Sequence, residues 1–382
     1  MSPSSSRPRV LIALNTAWNL VNFRAGLIRA LVEQGYEVVA VAPRDAHADR
    51  LAALGARYVE LPMDNGGTNP LRDLWLWWRF RQLFKAERPD VYLGYTVKPN
   101  VYGSLAAHSL GIPVVNNIAG LGAVFISQSL VTSVVRRLYR LALKRSAHVF
   151  FQNPDDQRLF IEGGMVSRSV TSLLPGSGID LARFSPAPDN GRAGGEMCFL
   201  LIARMLWDKG VGEYVEAARR LKQRHPGVRC ALVGFLDVRN PAAISREQVD
   251  AWVAEGVVEY WGTSEDVRPE IARSDCVVLP SYREGTPRTL LEAAAMARPL
   301  VTTDAVGCRE VVDDGVNGYL CEVRSADSLG DAMERMMLRT PAERAAIGAA
   351  GREKMARQFD ERLVVEAYLK VVGSLAGRRA KA

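Results

Sequence analysis

Short runs rich in β-branched residues alternate with helix-like stretches along almost the whole chain, and this alternation restricts the fold more than any other feature. Strands separated by a helix-length segment cannot pair as hairpins, so they align in parallel with the helices packed on the sheet faces. Strands are expected at residues 10–14, 37–41, 58–61, 91–95, 114–117, 148–151 and 170–174. After an interruption the pattern resumes at 198–202, 228–233, 257–261, 276–279 and 300–303. Helices are expected over 22–34, 71–85, 211–224, 267–273, 287–296 and 326–337, with a last helical stretch over 359–373. The interruption, SPAPDNGRAGGE at 185–196, carries Pro and Gly without apolar periodicity and reads as a linker. A chain of 382 residues, at roughly 100–200 per domain, accommodates two such α/β units. The expected division is 1–188, 189–357 and a final helical segment 358–382. In open parallel sheets ligands bind beyond the carboxyl ends of the strands, so the expected site is a cleft between the halves.

Charge is distributed unevenly. The chain carries 49 basic and 42 acidic residues, a net +7. Between Val91 and Pro154 there is no acidic residue, while Lys98, Arg136, Arg137, Arg140, Lys144 and Arg145 all fall there. Such a stretch suits an anionic lipid surface, a nucleic acid or a phosphorylated substrate. It lies within strand and helix patterns and contains no nucleic-acid motif, which disfavours a nucleic-acid partner. Two basic stretches are amphipathic: LRDLWLWWRFRQLFK at 71–85 and RRLYRLALKR at 136–145. Each also fits an ordinary helix with its apolar face packed and its cations in water. The uncharged residues between His108 and Arg136 include Pro113, Asn116, Asn117, Thr132 and Ser133, too polar for a spanning helix. The N-terminus shows no apolar signal core. Five isolated cysteines define neither a zinc site nor a disulfide framework, and fit a reducing cytosol.

Three loops carry the candidate chemistry. In VVLPSYREGTPRTLLE, a strand ends at Pro280, and Thr286 then Pro287 read as helix cap and first helical residue. The amino end of that helix offers backbone donors and a positive dipole to a phosphate. Glu284 and Glu292 can accept hydrogen bonds from sugar hydroxyls along one ligand. The loop after the strand at 198–202 places Arg204 and Lys209 where two cations can converge on a diphosphate. The third loop is Gly176-Ser177-Gly178. Neither it nor Gly120-Leu121-Gly122 completes G-x-G-x-x-G, because Leu181 or Phe125 stands at the third position, and this disfavours a standard dinucleotide site.

The run from Gly176 through Arg204 and Lys209 to PSYREGTPRTLLEAAAMARPLVTTDAVGCREVV resembles the retaining glycosyltransferases of the GT-B fold, in the large family-4 group. FRAGLIRALVEQGYEVVAVAP and KPNVYGSLAAHSLGIPVVNNIAGLG look like that family's first domain, so the likeness covers the whole chain. It is greatest to bacterial enzymes that extend undecaprenyl-diphosphate-linked glycans with N-acetylgalactosamine or N-acetylglucosamine.

The resemblance implies two Rossmann-like domains facing a cleft, a nucleotide-sugar donor with UDP favoured, and a lipid-linked polyprenyl diphosphate acceptor. By position, Arg204 and Lys209 would bind the donor diphosphate, Glu292 the ribose and Glu284 the sugar hydroxyls. Gly285, Thr286, Arg288 and Thr289, with Gly178, would surround the diphosphate and sugar. Two departures stand out. Pro287 replaces a small residue and removes an amide donor. Ile118 and Ala119 precede Gly120 where many relatives carry a histidine, leaving Asn116, Asn117 and Gly120 as acceptor-side candidates.

No D-x-D triplet occurs, so no metal and no other cofactor are expected. Peripheral attachment to the cytoplasmic face of the plasma membrane follows from a lipid-linked acceptor and a basic first domain. The competing readings are a nucleotide-sugar epimerase on the same fold and a donor-binding protein without turnover.

Overall fold

The computed structural model describes residues 7–64, 69–121, 130–186, 196–236, 238 and 240–379. The chain divides into two compact units, one made of Met1–Ser177 with Glu361–Ala382, the other of Gly178–Asp360. Of the expected linker, residues 187–195 lie outside the described residues, as do Gly122 and Phe125.

The first unit is built on a seven-stranded sheet of β1 (Arg9–Ala13), β2 (Glu37–Ala42), β3 (Arg57–Glu60), β4 (Val91–Tyr95), β5 (Val114–Ile118), β6 (His148–Phe151) and β7 (Thr171–Leu173). Every pairing is parallel, in the order β3-β2-β1-β4-β5-β6-β7. β4 and β5 are buried at every position, as expected when helices cover both faces. One face packs on Leu27, Ile28 and Leu31 together with Val364, Tyr368 and Val372. These last three come from the terminal helix Glu361–Arg379. The other face receives Leu76, Phe80 and Phe84 of the helix Pro70–Glu87.

The helix expected over 22–34 is two helices, Ala17–Phe23 and Ala25–Glu33. They break at Arg24, whose φ of −131° leaves helical space and whose guanidinium lies 4.4 Å from the Tyr95 ring centroid. A buried tertiary contact has overridden a residue that otherwise favours helix.

The second unit carries six strands: β8 (Cys198–Ile202), β9 (Arg229–Val233), β10 (Glu259–Tyr260), β11 (Cys276–Leu279), β12 (Leu300–Thr303) and β13 (Gly318–Cys321). The order is β10-β9-β8-β11-β12-β13, again all parallel. β13 was not anticipated. It follows a turn at Asn317, and its first residue must be small, because a Cβ at Gly318 would lie 2.3 Å from the Leu300 carbonyl oxygen.

In both sheets the strand order reverses between the first strand and the fourth, at β1/β4 and at β8/β11. The loops leaving β8 and β11 therefore diverge at the switch point, where open α/β sheets form ligand crevices. Both units are Rossmann-like, doubly wound α/β domains.

Candidate active site

The residues that sequence reasoning gathered in the second half converge at the carboxyl ends of β8 and β11. After β8 the chain runs through Arg204 into the short turn Trp207–Lys209 and then Gly210, which adopts a left-handed φ of 71° before the helix Val211–Arg224. Glycine is required there: a Cβ would meet the Pro280 carbonyl oxygen at 2.1 Å. That approach draws the loop after β8 against the loop after β11. The Tyr282 amide donates to the Asp208 carbonyl at 3.0 Å, and the Ser281 hydroxyl reaches the same oxygen at 3.3 Å.

Two ion pairs form here, the first across the junction and the second within the helix that follows it. The Lys209 ammonium donates to the Glu284 carboxylate, and both side chains are largely buried. Four residues further on, Arg288 Nε donates to Glu292 at 2.9 Å, with the carboxylate 14% exposed. Burial raises the Glu292 pKa above the usual carboxylate value, and the Arg288 charge opposes the shift. Arg288 also reaches the Gly178 carbonyl at 3.4 Å, which brings the third expected loop to the same place. Gly178 holds a left-handed φ of 72°.

The helix Arg288–Ala295 begins one residue later than expected. Pro287, with ψ of 113°, occupies the N-cap, and its carbonyl accepts from Leu290 at 3.1 Å. The capping role expected of Thr286 therefore falls to a residue with neither a side-chain acceptor nor an amide. The Thr289 hydroxyl bonds the Ile202 carbonyl at 3.2 Å and fixes the first turn against the end of β8. Gly285 and Thr286 lie in the loop between Glu284 and this helix. Arg204 is exposed, and its side chain makes no ion pair among the described residues.

Sequence reasoning missed three supports. Tyr282 donates to Glu213 at 2.6 Å, and Arg324 stacks 4.6 Å from the Tyr282 ring centroid. Gly307, at φ 87°, permits the backbone of Glu284 to pass: a Cβ there would stand 2.4 Å from the Glu284 carbonyl oxygen. The glycine in AVGCRE was a visible signal, whereas the tyrosine contacts left none.

The acceptor-side candidates lie in the first unit. Asn116 and Asn117, on β5, are fully buried, and the structure draws their amides into internal bonds. Asn116 donates to Asn100 and Ser104 at 2.9 and 2.8 Å and accepts from Ser146 at 2.6 Å. Asn117 donates to the Tyr368 hydroxyl at 3.0 Å. Gly120 follows β5 at φ 122°. His108 and His148 face the Ala142 carbonyl and the Ser172 hydroxyl, each at 2.8 Å, and burial lowers both pKa values.

Two Rossmann-like units, with cations and carboxylates at the switch point of the second, define a GT-B glycosyltransferase architecture. Residues 22–176 match the family model of the glycosyl transferase 4-like domain, and residues 196–339 match that of glycosyl transferases group 1. The chain belongs to this glycosyltransferase family.

A Campylobacter jejuni N,N'-diacetylbacillosaminyl-diphospho-undecaprenol α-1,3-N-acetylgalactosaminyltransferase is 28% identical, over 92% of this chain and 95% of its own. An Escherichia coli UDP-Gal:α-D-GlcNAc-diphosphoundecaprenol α-1,3-galactosyltransferase is 25% identical, over 67% of this chain and 68% of its own. Among solved structures, Anabaena HepE in complex with UDP and glucose superposes with a TM-score of 0.77 at 19% identity. That match covers 97% of this chain and all of HepE.

Proposed function

We propose that this glycosyltransferase moves a hexose or N-acetylhexosamine, with retention of anomeric configuration, from a UDP-sugar to a saccharide on a polyprenyl diphosphate. The work belongs to bacterial surface-glycan synthesis at the cytoplasmic face of the membrane. One observation carries the reading: Lys209, Glu284, Arg288 and Glu292 occupy the carboxyl ends of β8 and β11 as two adjoining ion pairs. Two relatives act, by name, on diphospho-undecaprenol-linked sugars, which supports the acceptor class.

A donor diphosphate entering this crevice offers Lys209 and Arg204 a stronger partner than a carboxylate and releases Glu284 toward the sugar hydroxyls. Glu292 then accepts from the ribose. As the bond from anomeric carbon to phosphate oxygen breaks, negative charge grows on the diphosphate, and fixed cations stabilise that charge. The leaving phosphate oxygen takes the proton of the attacking acceptor hydroxyl on the same face of the sugar, so no protein base is required. Arg204, Lys209 and the amino end of Arg288–Ala295 supply positive charge of the kind a divalent metal supplies elsewhere, and we assign no metal to the step.

A thermal-shift screen of UDP, GDP, ADP, NAD and their sugar conjugates, with and without EDTA, tests the donor assignment. Stabilisation by UDP at a hundredfold excess over its dissociation constant should reach about 2.7 kcal/mol. That stabilisation should vanish in Glu292→Ala and Lys209→Ala. Nuclear magnetic resonance of the product anomer tests retention. No shift with any nucleotide refutes the reading.

A further inference from the structure

We propose that the outward face of the helix Pro70–Glu87 inserts into the headgroup layer of an anionic bilayer; the proposal rests on the lipid-linked acceptor read above. Among the described residues no helix is long and apolar enough to cross a membrane.

The helix has two unlike apolar faces. Leu76, Phe80 and Phe84 are buried against the first sheet. Leu71, Leu74, Trp75 and Trp78 are 78, 62, 53 and 50% exposed. Their spacing of i, i+3, i+4 and i+7 places them in one stripe rather than scattering them over the surface. A contiguous stripe of large apolar side chains marks a partner surface.

The charges around the stripe identify the partner. Arg72, Arg79, Lys85 and Arg88 lie on the same helix or just beyond it. The Arg79 guanidinium sits 4.6 Å from the Trp75 ring centroid. The helix's own acids are turned away, and of the rim cations Arg72 faces the half-exposed Asp64 at 3.6 Å. Asp73 is buried and accepts from Lys98 and Tyr102, each at 2.8 Å, and Glu87 pairs with Arg57 and Arg9. A face with tryptophan at its centre, cations at its rim and its own acids withdrawn is complementary to anionic headgroups over acyl chains.

The helix Leu130–Leu143 also belongs to the first unit, and with the residue that follows it Arg136, Arg137, Arg140 and Lys144 present exposed cations with no acid among them. Insertion thus belongs to one element and long-range attraction to the other.

The test uses the full chain with vesicles of phosphatidylcholine alone or with added phosphatidylglycerol. The variants are Leu74→Ser/Trp78→Ser and Arg136→Ser/Arg137→Ser/Lys144→Ser. The wild type should sediment with the anionic vesicles. The stripe variant should lose about tenfold or more in partitioning, even at low salt. The cation variant should lose binding at low salt only to the level the wild type shows in high salt. Both should keep the wild-type melting temperature and turn over a short-chain, water-soluble acceptor.

Wild-type protein that ignores anionic vesicles, or a stripe variant that binds them as well as wild type, overturns the proposal. So does light scattering that shows a dimer split by the stripe substitutions without any vesicle binding, because the occupant is then a second copy. Absence of turnover with every acceptor, beside intact vesicle binding, removes the acceptor reading and leaves the surface standing.

Discussion

The Lys209 ammonium donates to the Glu284 carboxylate across 75 positions of sequence, and this bond joins the loop leaving β8 to the loop leaving β11. A cation and a carboxylate that satisfy each other in the free protein are both poised for exchange when a ligand brings a diphosphate for one and hydroxyls for the other.

The two partners should therefore separate in binding experiments. Lys209→Ala should weaken UDP and UDP-sugar alike, and it should lower kcat/KM by about 10²–10³, the usual effect of losing one charge-stabilising donor. Glu284→Gln should leave UDP affinity near wild type and weaken only the sugar conjugate. Calorimetric titration of UDP and UDP-sugar into each variant decides the matter; equal losses for both ligands in Glu284→Gln would contradict the assignment of the sugar to Glu284.

Glu292 gives a pH signature. Burial raises its folded pKa above that of the unfolded chain. The folded state then holds the proton more tightly, so this carboxyl's contribution to stability is fully present below the ordinary carboxylate pKa. It declines as pH rises through the raised folded value. Relative to wild type, Glu292→Gln should gain stability as pH rises through that window and stay level above it. Melting curves of both proteins from acid to neutral pH measure the difference, and a Glu292→Gln stability that falls relative to wild type as pH rises contradicts the shift.

Much of the fold was legible because parallel strands buried on both faces read as unbroken apolar runs: β4, β6, β8, β11 and β12 begin and end where the pattern placed them. The break at Arg24 was not, since it depends on a guanidinium packing over Tyr95 from a distant strand. β13 escaped because its short run follows a turn and its key residue is a glycine chosen for contact with Leu300. At the site, residue types and loop positions were readable. The pairing of Lys209 with Glu284, and of Tyr282 with Glu213, was not, because no local spacing encodes a contact between loops that only the sheet order brings together.

Gly210 tests that convergence through the backbone. Gly210→Ala imposes a left-handed conformation on a residue with a Cβ and drives that Cβ into the Pro280 carbonyl. The loss should be about 2 kcal/mol or more, from the backbone penalty and overpacking together. Gly256→Ala is the control, since φ is 77° but nothing lies within 4 Å, and it should show only the backbone share of about 1 kcal/mol. Urea midpoints separate the two. UDP affinity should fall in Gly210→Ala alone, because only there does the strain reach the loop that carries Glu284.

Tyr368 tests whether Asn117 serves the fold. The Asn117 amide donates to the Tyr368 hydroxyl inside the core of the first unit, and the two rings nearest Tyr368, Phe150 and Tyr95, lie 4.7 and 6.0 Å away. Tyr368→Phe keeps the packing and removes the hydroxyl, so the fully buried Asn117 donor loses its partner and the buried Tyr95 hydroxyl loses its neighbour. Such a loss costs about 1–3 kcal/mol. UDP affinity should not change, since the residues assigned to the donor all lie in the second unit. A lower melting temperature with unchanged UDP titration supports a structural role for Asn117, whereas unchanged melting with a raised acceptor KM would return Asn117 to the acceptor side.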